Sequence, residues 1–377
     1  MNKNMQKEFT SLGMMTGTSA DGIDASVIIS DGKSKLKILH NQFLNFEDKT
    51  SEEILNLKTR INNKKDLIKL SNSITLLEKK ITLIHSNFAK EIINKFSPDL
   101  IGFHGQTIYH NALEKKSIQI GDAKLLSKFT KKNVIHSFRQ NDLLNNGQGA
   151  PLAPIYHKLV AEKLNIDFPL IFLNIGGISN LTFLKSKNDE NIFSSDIGPG
   201  NCMIDSWIRK NSKLKFDRGG KIAKNGKINE IIIEQVDSSF DRDILFKPKS
   251  LDTNDFDIAF ARGLDLNDGA ATITELTSRI ISNYLNQLIT EHKISQKCLI
   301  ILCGGGRKNI FLIDSIKKKV SKKFELKDID FYNFDGDYIE SQAFAYLAIK
   351  SLLKLPFTFP KTTGCKKPCS GGVLIKY

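Results

Sequence analysis

The chain has little of what marks several protein classes. Its 377 residues include five cysteines, an odd number, with one tryptophan and nine prolines. So few thiols in so long a chain exclude a disulfide scaffold and fit a reducing compartment. Cys365 and Cys369 lie close together, but no second Cys or His cluster flanks them, and structural zinc wants four ligands. No zinc site is expected. Long apolar runs are also missing. None approaches the roughly 18 residues that span a bilayer, and one of the longer stretches, Cys298 to Cys303, ends in glycines. The opening Met1-Asn-Lys-Asn-Met-Gln-Lys-Glu lacks the apolar segment of a signal peptide. A cytoplasmic protein without membrane association is expected.

Arginine is scarce, 8 of the 55 basic residues, and the net charge is +14. The lysines are spread along the chain in short groups such as Lys317-Lys318-Lys319. Nucleic-acid binders concentrate charge and interleave arginine with aromatics, so no nucleic-acid partner is expected. The excess reads as solvated surface with a mild attraction for anionic ligands. With 40% hydrophobic and 25% charged residues the composition is that of a soluble globular protein. At about 150 residues per domain the length suggests two domains.

Strand-like and helix-like patterns alternate. Leu12–Thr16, a polar glycine turn and Ile23–Ser30 read as a β-hairpin. Residues 52–96 carry apolar positions at helical spacing. Leu170–Ile175, a turn at Gly176-Gly177 and Leu181–Leu184 make a second hairpin, roughly 160 residues on, too long a period for a solenoid. Phe193–Ile197 leads through Gly198-Pro-Gly-Asn201 into an amphipathic helix. Ile273–Ile289 reads as a helix, Leu299–Leu302 as a buried strand, and Ile339–Leu353 as a final helix. The repeat fits duplication of an α/β domain, two lobes facing each other across a cleft.

The chemistry-bearing residues collect at the turns. Gly17 opens a segment of Thr18, Ser19, Ala20, Asp21, Gly22, Ile23 and Asp24. Glycine lets backbone N–H groups approach an anion, the hydroxyls add donors, and the aspartates suit Mg²⁺ or a bound hydroxyl. An ordinary hairpin turn is the other reading. No Gly-Lys-Ser/Thr follows, so this is not a Walker A loop. Gly176 and Gly177 form a second candidate phosphate turn. Asp196 precedes Gly198, Gly200 and Asn201, where a strand gives way to a helix whose N-terminus offers N–H donors; Asp196 is a candidate for holding a metal-bound water. Gly304, Gly305 and Gly306 follow a buried strand and permit close approach of a flat ligand such as adenine. Asp142 suits general-base work, Arg139 suits a carboxylate, Gln148 suits sugar hydroxyls, and His104 with Gln106 forms a polar cluster at a strand end. No Gly-x-Ser-x-Gly elbow supports Ser-His-Asp catalysis.

In order along the chain stand Gly13 to Asp24, His104-Gly-Gln-Thr107, Gln119-Ile-Gly-Asp122, Phe138-Arg139 with Asp142, Gly147-Gln-Gly-Ala-Pro-Leu152, Asn174 to Asn180, Asp196 to Asn201 and Cys303-Gly-Gly-Gly306. The ordered set resembles the anhydro-N-acetylmuramic acid kinase family of the actin-like, sugar-kinase ATPase superfamily, through Thr363-Gly364 near the end. The resemblance implies a two-lobed, ribonuclease H-like α/β fold with an interlobe cleft. The first lobe would be 1–130, with 345–377 packing back on it, and the second 131–344. It implies ATP with Mg²⁺ and an anhydro amino sugar as small-molecule partners. The 1,6-anhydro bond is opened by water and the γ-phosphoryl goes to the released O6, a step of peptidoglycan recycling. Gly17–Asp24 and Gly176/Gly177 would hold the ATP phosphates, Gly304–Gly306 the nucleoside, and Asp21 and Asp196 the metal. Asp142 would be the base that activates water at the anomeric carbon, with His104, Gln106, Arg139 and Gln148 toward the sugar. The chain departs from the family pattern at Ser137, where Asp is common, and at Asn146, where Gly is common. A kinase of another anhydro sugar and a non-catalytic ATP-binding sensor are the competing readings. Oligomeric state is left open, a homodimer included.

Overall fold

The computed structural model describes residues 7–239, 251 and 255–377. Residues 1–6, part of the stretch compared with a signal peptide, lie outside them. The strands are β1 (Phe9–Thr16), β2 (Gly22–Ser30), β3 (Leu36–Asn45), β4 (Leu100–Asn111), β5 (Lys116–Ile120), β6 (Asn133–His136), β7 (Leu170–Ile175), β8 (Ile178–Leu184), β9 (Ile192–Pro199), β10 (Cys298–Cys303), β11 (Phe324–Asp328) and β12 (Val373–Ile375). The helices are α1 (Asp48–Thr59), α2 (Lys64–Lys69), α3 (Ser71–Phe96), α4 (Ala123–Thr130), α5 (Gln140–Leu144), α6 (Pro154–Lys163), α7 (Cys202–Asn211), α8 (Lys221–Lys224), α9 (Glu230–Ser239), α10 (Leu266–Glu291), α11 (Ile310–Lys319), α12 (Ile339–Leu352) and α13 (Pro360–Thr363). None of the described helices is long and apolar enough to cross a membrane.

These elements form two compact units, Met1–Ile166 with Tyr338–Tyr377, and Asp167–Asp337. In the first, the sheet runs β12-β6-β4-β1-β2-β3, with β5 hairpinned onto β4. β1, β2 and β3 are an antiparallel meander, while β4 and β6 run parallel to β1 in turn. Because β6 pairs with β4, the stretch around 131–166 packs with this unit; the expected boundary near 130 therefore falls at 166. The second sheet runs β11-β10-β7-β8-β9 with the same directions. Leaving out the β5 hairpin and β12, each unit has strand order 3-2-1-4-5, the arrangement of the ribonuclease H-like fold, once in each unit.

The central strands are built for burial on both faces. Leu-Ile-Phe-Leu of β7 and Ile-Ile-Leu-Cys of β10 are apolar without alternation, as parallel strands covered on both sides require. In the first unit, α12 lies on β1 and β4 at backbone contact. Gly13 and Gly102 are register partners, and a Cβ on either would collide with carbonyl oxygens of Ser341 or Phe344. That close approach buries Phe344, Tyr346, Leu347 and Ile349, each large apolar side chain contributing about 1.5–3 kcal/mol.

Candidate active site

In open α/β sheets, ligands bind beyond the carboxyl ends of the parallel strands. The residues singled out by sequence gather at those ends. In the first unit, β1 runs into the Gly17 turn, β4 carries His104 and Gln106, and β6 leads to Arg139 and Asp142. In the second, β7 runs into Gly176-Gly177, β10 runs into Gly304–Gly306, and β9 carries Asp196.

The first turn closes by Ala20 N donating to the Gly17 carbonyl at 3.2 Å. Thr18, Ser19 and Asp21 are exposed, and the Ser19 hydroxyl donates to Asp21 Oδ1 at 2.8 Å. Gly22, Ile23 and Asp24 are not part of this turn. They belong to β2, paired with Asn45, Leu44 and Phe43, and the Ile23 side chain is core. A ligand can therefore meet the turn residues but not the Ile23 side chain.

Asp142 is buried and hydrogen-bonded at both oxygens. Its carboxylate is 1% exposed. Oδ2 accepts from Gly149 N at 2.7 Å, and Oδ1 accepts from the Thr363 hydroxyl at 2.6 Å. The backbone around it is tied as well: Gly147 N donates to the Asp142 carbonyl, and Gln148 N to the Thr363 carbonyl. Gly147 is obligatory here, since a Cβ would collide with the carboxylate. A base must present an oxygen within hydrogen-bond reach of the proton it takes. Both oxygens of Asp142 already hold the 147–149 loop and the C-terminal tail. These bonds make Asp142 an anchor of the loop and the tail; each carboxylate oxygen can accept a second hydrogen bond, so they neither assign nor remove the base role. Thr363 had entered the sequence comparison only as a motif end; its bond to Asp142 spans 221 positions, and no local spacing signals it.

His104, Arg139 and the same loop form one chain. The His104 ring donates from Nδ1 to the Gly105 carbonyl at 2.9 Å. Its Nε2 therefore accepts from Arg139, at 3.0 and 3.3 Å, and Arg139 Nη1 donates to the Gly149 carbonyl at 2.9 Å. Arg139 thus ties the loop to His104. His104 is also the extra residue of a β-bulge, because Met14 pairs with Phe103 and Met15 with Gly105. Bulges re-aim side chains beside functional sites. Gln106 is fully buried, and its Oε1 has no hydrogen-bond partner among the described residues. A pocket of about 150 Å³ beside His104, bordered by Gln119, His136 and Ser137, is too small for a nucleotide. Both departures from the family pattern fall on left-handed backbone, which accommodates Asn146 but gives no reason for Ser137 in place of Asp. Ser137 has φ 55° and Asn146 has φ 66°, and asparagine is among the non-glycine residues that best tolerate this region.

The second unit locks its turns together by backbone. Gly200 N and Cys202 N donate to the Gly177 carbonyl, and Asn201 N donates to the Gly176 carbonyl. Of these donors only Cys202 N belongs to α7; Gly200 N and Asn201 N precede it, and all three are committed to the glycine turn. Gly304 and Gly306 pack on Asn174 and Ile175 at the end of β7. Asp196 is 8% exposed, and Leu251 N donates to its Oδ2 at 2.8 Å. It sits at a second bulge: Asp196 pairs with Asn180 and Gly198 with Ser179, leaving Ile197 extra. Burial pushes the nearby Tyr284 phenol up to about 12, with Asp196 adding to the shift. Among the described residues no group of three or more His, Cys, Asp or Glu is placed to hold a metal.

The buried histidines give a pH prediction. Burial pushes His85 down to about 4 and His157 to about 3, and burial with the Arg139 charge puts His104 well below its ordinary value. In the unfolded chain these rings take a proton near pH 6.5. Below that pH the unfolded state binds more protons, so stability falls as pH falls, by up to about 1.4 kcal/mol per pH unit for each ring. Melting temperature is expected to drop between pH 7 and pH 5. His85→Gln, which keeps a polar group beside Thr16, should flatten that slope; an unchanged slope would exclude His85 as a contributor.

A family model described as anhydro-N-acetylmuramic acid kinase matches residues 9–377. The chain is 49% identical over 374 residues to an anhydro-N-acetylmuramic acid kinase of Pelagibacter ubique, covering 99% of this chain and 100% of that protein. It is 34% identical over 377 residues to the protein of the same name from Brucella canis, covering 97% and 98%. Among solved structures, component A of (R)-2-hydroxyglutaryl-CoA dehydratase from Acidaminococcus fermentans aligns at TM-score 0.39 and 13% identity, covering 92% of this chain and 100% of that one.

Proposed function

The chain belongs to the anhydro-N-acetylmuramic acid kinase family, and we propose that Asp196 is the base of its reaction while Asp142 is a buried anchor. The enzyme is an ATP-dependent sugar kinase. It opens the 1,6-anhydro ring of anhydro-N-acetylmuramic acid with water and transfers the γ-phosphoryl group of ATP to O6, giving N-acetylmuramic acid 6-phosphate. In our reading the Asp196 carboxylate takes a proton from water as the water oxygen bonds to the anomeric carbon. The bond from that carbon to O6 breaks, O6 bonds to the γ-phosphorus, and ADP leaves. O6 is captured by phosphorus rather than by a proton, so no second carboxylate is needed as general acid.

The observation that carries this reading is the bulge at Ile197. It re-aims β9 beside Asp196, on the strand that leads directly into the backbone lock on Gly176 and Gly177. Water reaches the anomeric carbon from the face opposite O6, so in this reading Asp196 works across that carbon from the transferring phosphoryl group. We assign the ATP phosphates to the Gly17–Asp21 turn and to Gly176-Gly177, and the nucleoside to Gly304–Gly306. Phosphoryl transfer asks mainly for positioning and charge neutralisation. Mg²⁺ that arrives on phosphates needs only one or two protein carboxylates. Asp21, exposed on its turn beside a hydroxyl, fits that need; Mg²⁺ there would neutralise phosphate charge. Asp196 then leaves the metal role given to it on sequence. The unpartnered Gln106 Oε1 suits a sugar hydroxyl, and Gln148 is a further sugar contact. The demand for ATP favours a cytoplasmic location.

Product analysis in heavy-oxygen water tests the bond-breaking order. We expect the label at the anomeric hydroxyl and none in the phosphate ester. Label at O6 would overturn the scheme. Turnover of anhydro-N-acetylmuramic acid against levoglucosan, which lacks the amide and lactyl groups, tests the sugar; equal turnover would point to a broader kinase.

A further inference from the structure

Arg307 follows the third glycine of the Gly304–Gly306 turn, and the scheme above gives it no role. Its side chain is 1% exposed. Nε donates to Asp328 Oδ1 at 3.2 Å, Nη2 to both oxygens of Asp330 at 2.9 and 3.1 Å, and Nη1 to Asp337 at 2.5 Å. Asp335 stands at 3.8 Å. All four carboxylates come from residues 328–337, the stretch that begins at the end of β11. One further bond reaches the glycine turn itself: Nη1 donates to the Gly304 carbonyl at 3.0 Å.

The rest of the circuit is backbone. Gly304 N donates to the Gly336 carbonyl at 3.3 Å, and Gly336 N donates to Asp330 Oδ1 at 2.9 Å. Both polar groups of Gly304 are thus fixed, one directly by Arg307 and one through a loop that Arg307 holds. Three successive glycines have the greatest backbone freedom a chain can have. Left untied, such a turn would sample many shapes, and a ligand that needs one of them would bind in proportion to its population.

We propose that Arg307 is a positioning residue for the nucleotide: without touching ATP, it holds the Gly304–Gly306 turn in the shape that receives the nucleoside. The proposal rests on the reading that this turn faces the nucleoside. A guanidinium is needed because its planar fork reaches the Gly304 carbonyl and three carboxylates at once. A lysine ammonium keeps the charge but cannot span those partners.

The test is Arg307→Lys, assayed for KM and kcat with each substrate at a temperature where circular dichroism shows the variant folded. We expect KM for ATP to rise about tenfold, equivalent to about 1.4 kcal/mol of binding. kcat at saturating ATP and KM for the sugar should stay within about twofold. An unchanged KM for ATP, or equal losses in every parameter, would overturn the proposal and leave Arg307 as fold support. Gly305→Leu separates this from failure of the underlying reading. A Cβ at Gly305 meets no described atom within 4 Å beyond its chain neighbours, so a side chain can start there without a backbone clash. If Gly305→Leu raises KM for ATP while Arg307→Lys does not, the turn faces the nucleotide and Arg307 does not position it. If neither raises it, the nucleoside assignment fails together with the proposal.

Discussion

Replacing Asp196 by asparagine is expected to lower turnover of the anhydro sugar by two to four orders of magnitude, the usual worth of a positioned base, while ATP affinity stays within about twofold. Asparagine matches aspartate in shape, and its amide oxygen still accepts from Leu251 N, the bond that holds Oδ2 at 2.8 Å. With the variant assayed where circular dichroism shows it folded, the loss should fall on kcat. Water at the anomeric carbon is a weak nucleophile until a proton leaves it, and an amide oxygen is far too weak a base to take that proton. Steady-state formation of the sugar phosphate, with ATP binding measured by calorimetry, separates the two effects. Turnover near the parent value would remove Asp196 from the base role. A collapse of ATP affinity along with turnover would make it a metal or phosphate residue instead.

The roles proposed for Asp142 and Asp196 bear on what the sequence makes legible. Elements whose own residues define them were visible in the sequence: the β1–β2 and β7–β8 hairpins, the apolar β10, and α12. Each has a buried pattern next to a glycine turn or a helical stripe. β3 was not visible, because most of its residues are only half-buried, and β6 and β12 are short strands defined by pairing with each other and with β4. Pairing of that kind is set by tertiary context, not by local preference. α10 starts at Leu266, seven positions before the expected start at Ile273. Asp265, whose side chain accepts from Asp268 N at 2.8 Å, is the cap that would have marked it. The candidate residues could be singled out because turns at the carboxyl ends of strands concentrate glycine and polar groups. Their roles were harder to read, since a carboxylate's role depends on who occupies its lone pairs. For Asp142 one occupant is Thr363, far along the chain. For Asp196 the feature our reading rests on is a one-residue bulge, which a strand buried at nearly every position, without alternation, does not reveal.

The anchor role of Asp142 carries the largest stability prediction. Asp142→Ala would leave Gly149 N–H and the Thr363 hydroxyl without an acceptor in a site closed to water. Buried donors left unsatisfied cost about 1–3 kcal/mol each, so a loss of about 3–5 kcal/mol is expected, read as a lower denaturant midpoint at unchanged slope. Asp142→Asn should lose less, because its amide oxygen can take Gly149 N–H while the Thr363 hydroxyl rotates to accept from the amide. Thr363→Val, matched in shape, removes the hydroxyl alone and should cost about 1–2 kcal/mol. If Asp142 and Thr363 act through one bond, the double variant Asp142→Ala with Thr363→Val will be more stable than the sum of the single losses predicts, since the orphaned hydroxyl is gone. Strict additivity would deny that coupling. The catalytic readout then decides between anchor and base. An anchor predicts that Asp142→Asn, assayed where it is folded, turns over within about tenfold of the parent, short of the hundredfold or more expected for a lost base. A stable Asp142→Asn protein with turnover lost would return the base to Asp142 and make the bonds from Gly149 and Thr363 the means by which that base is aimed.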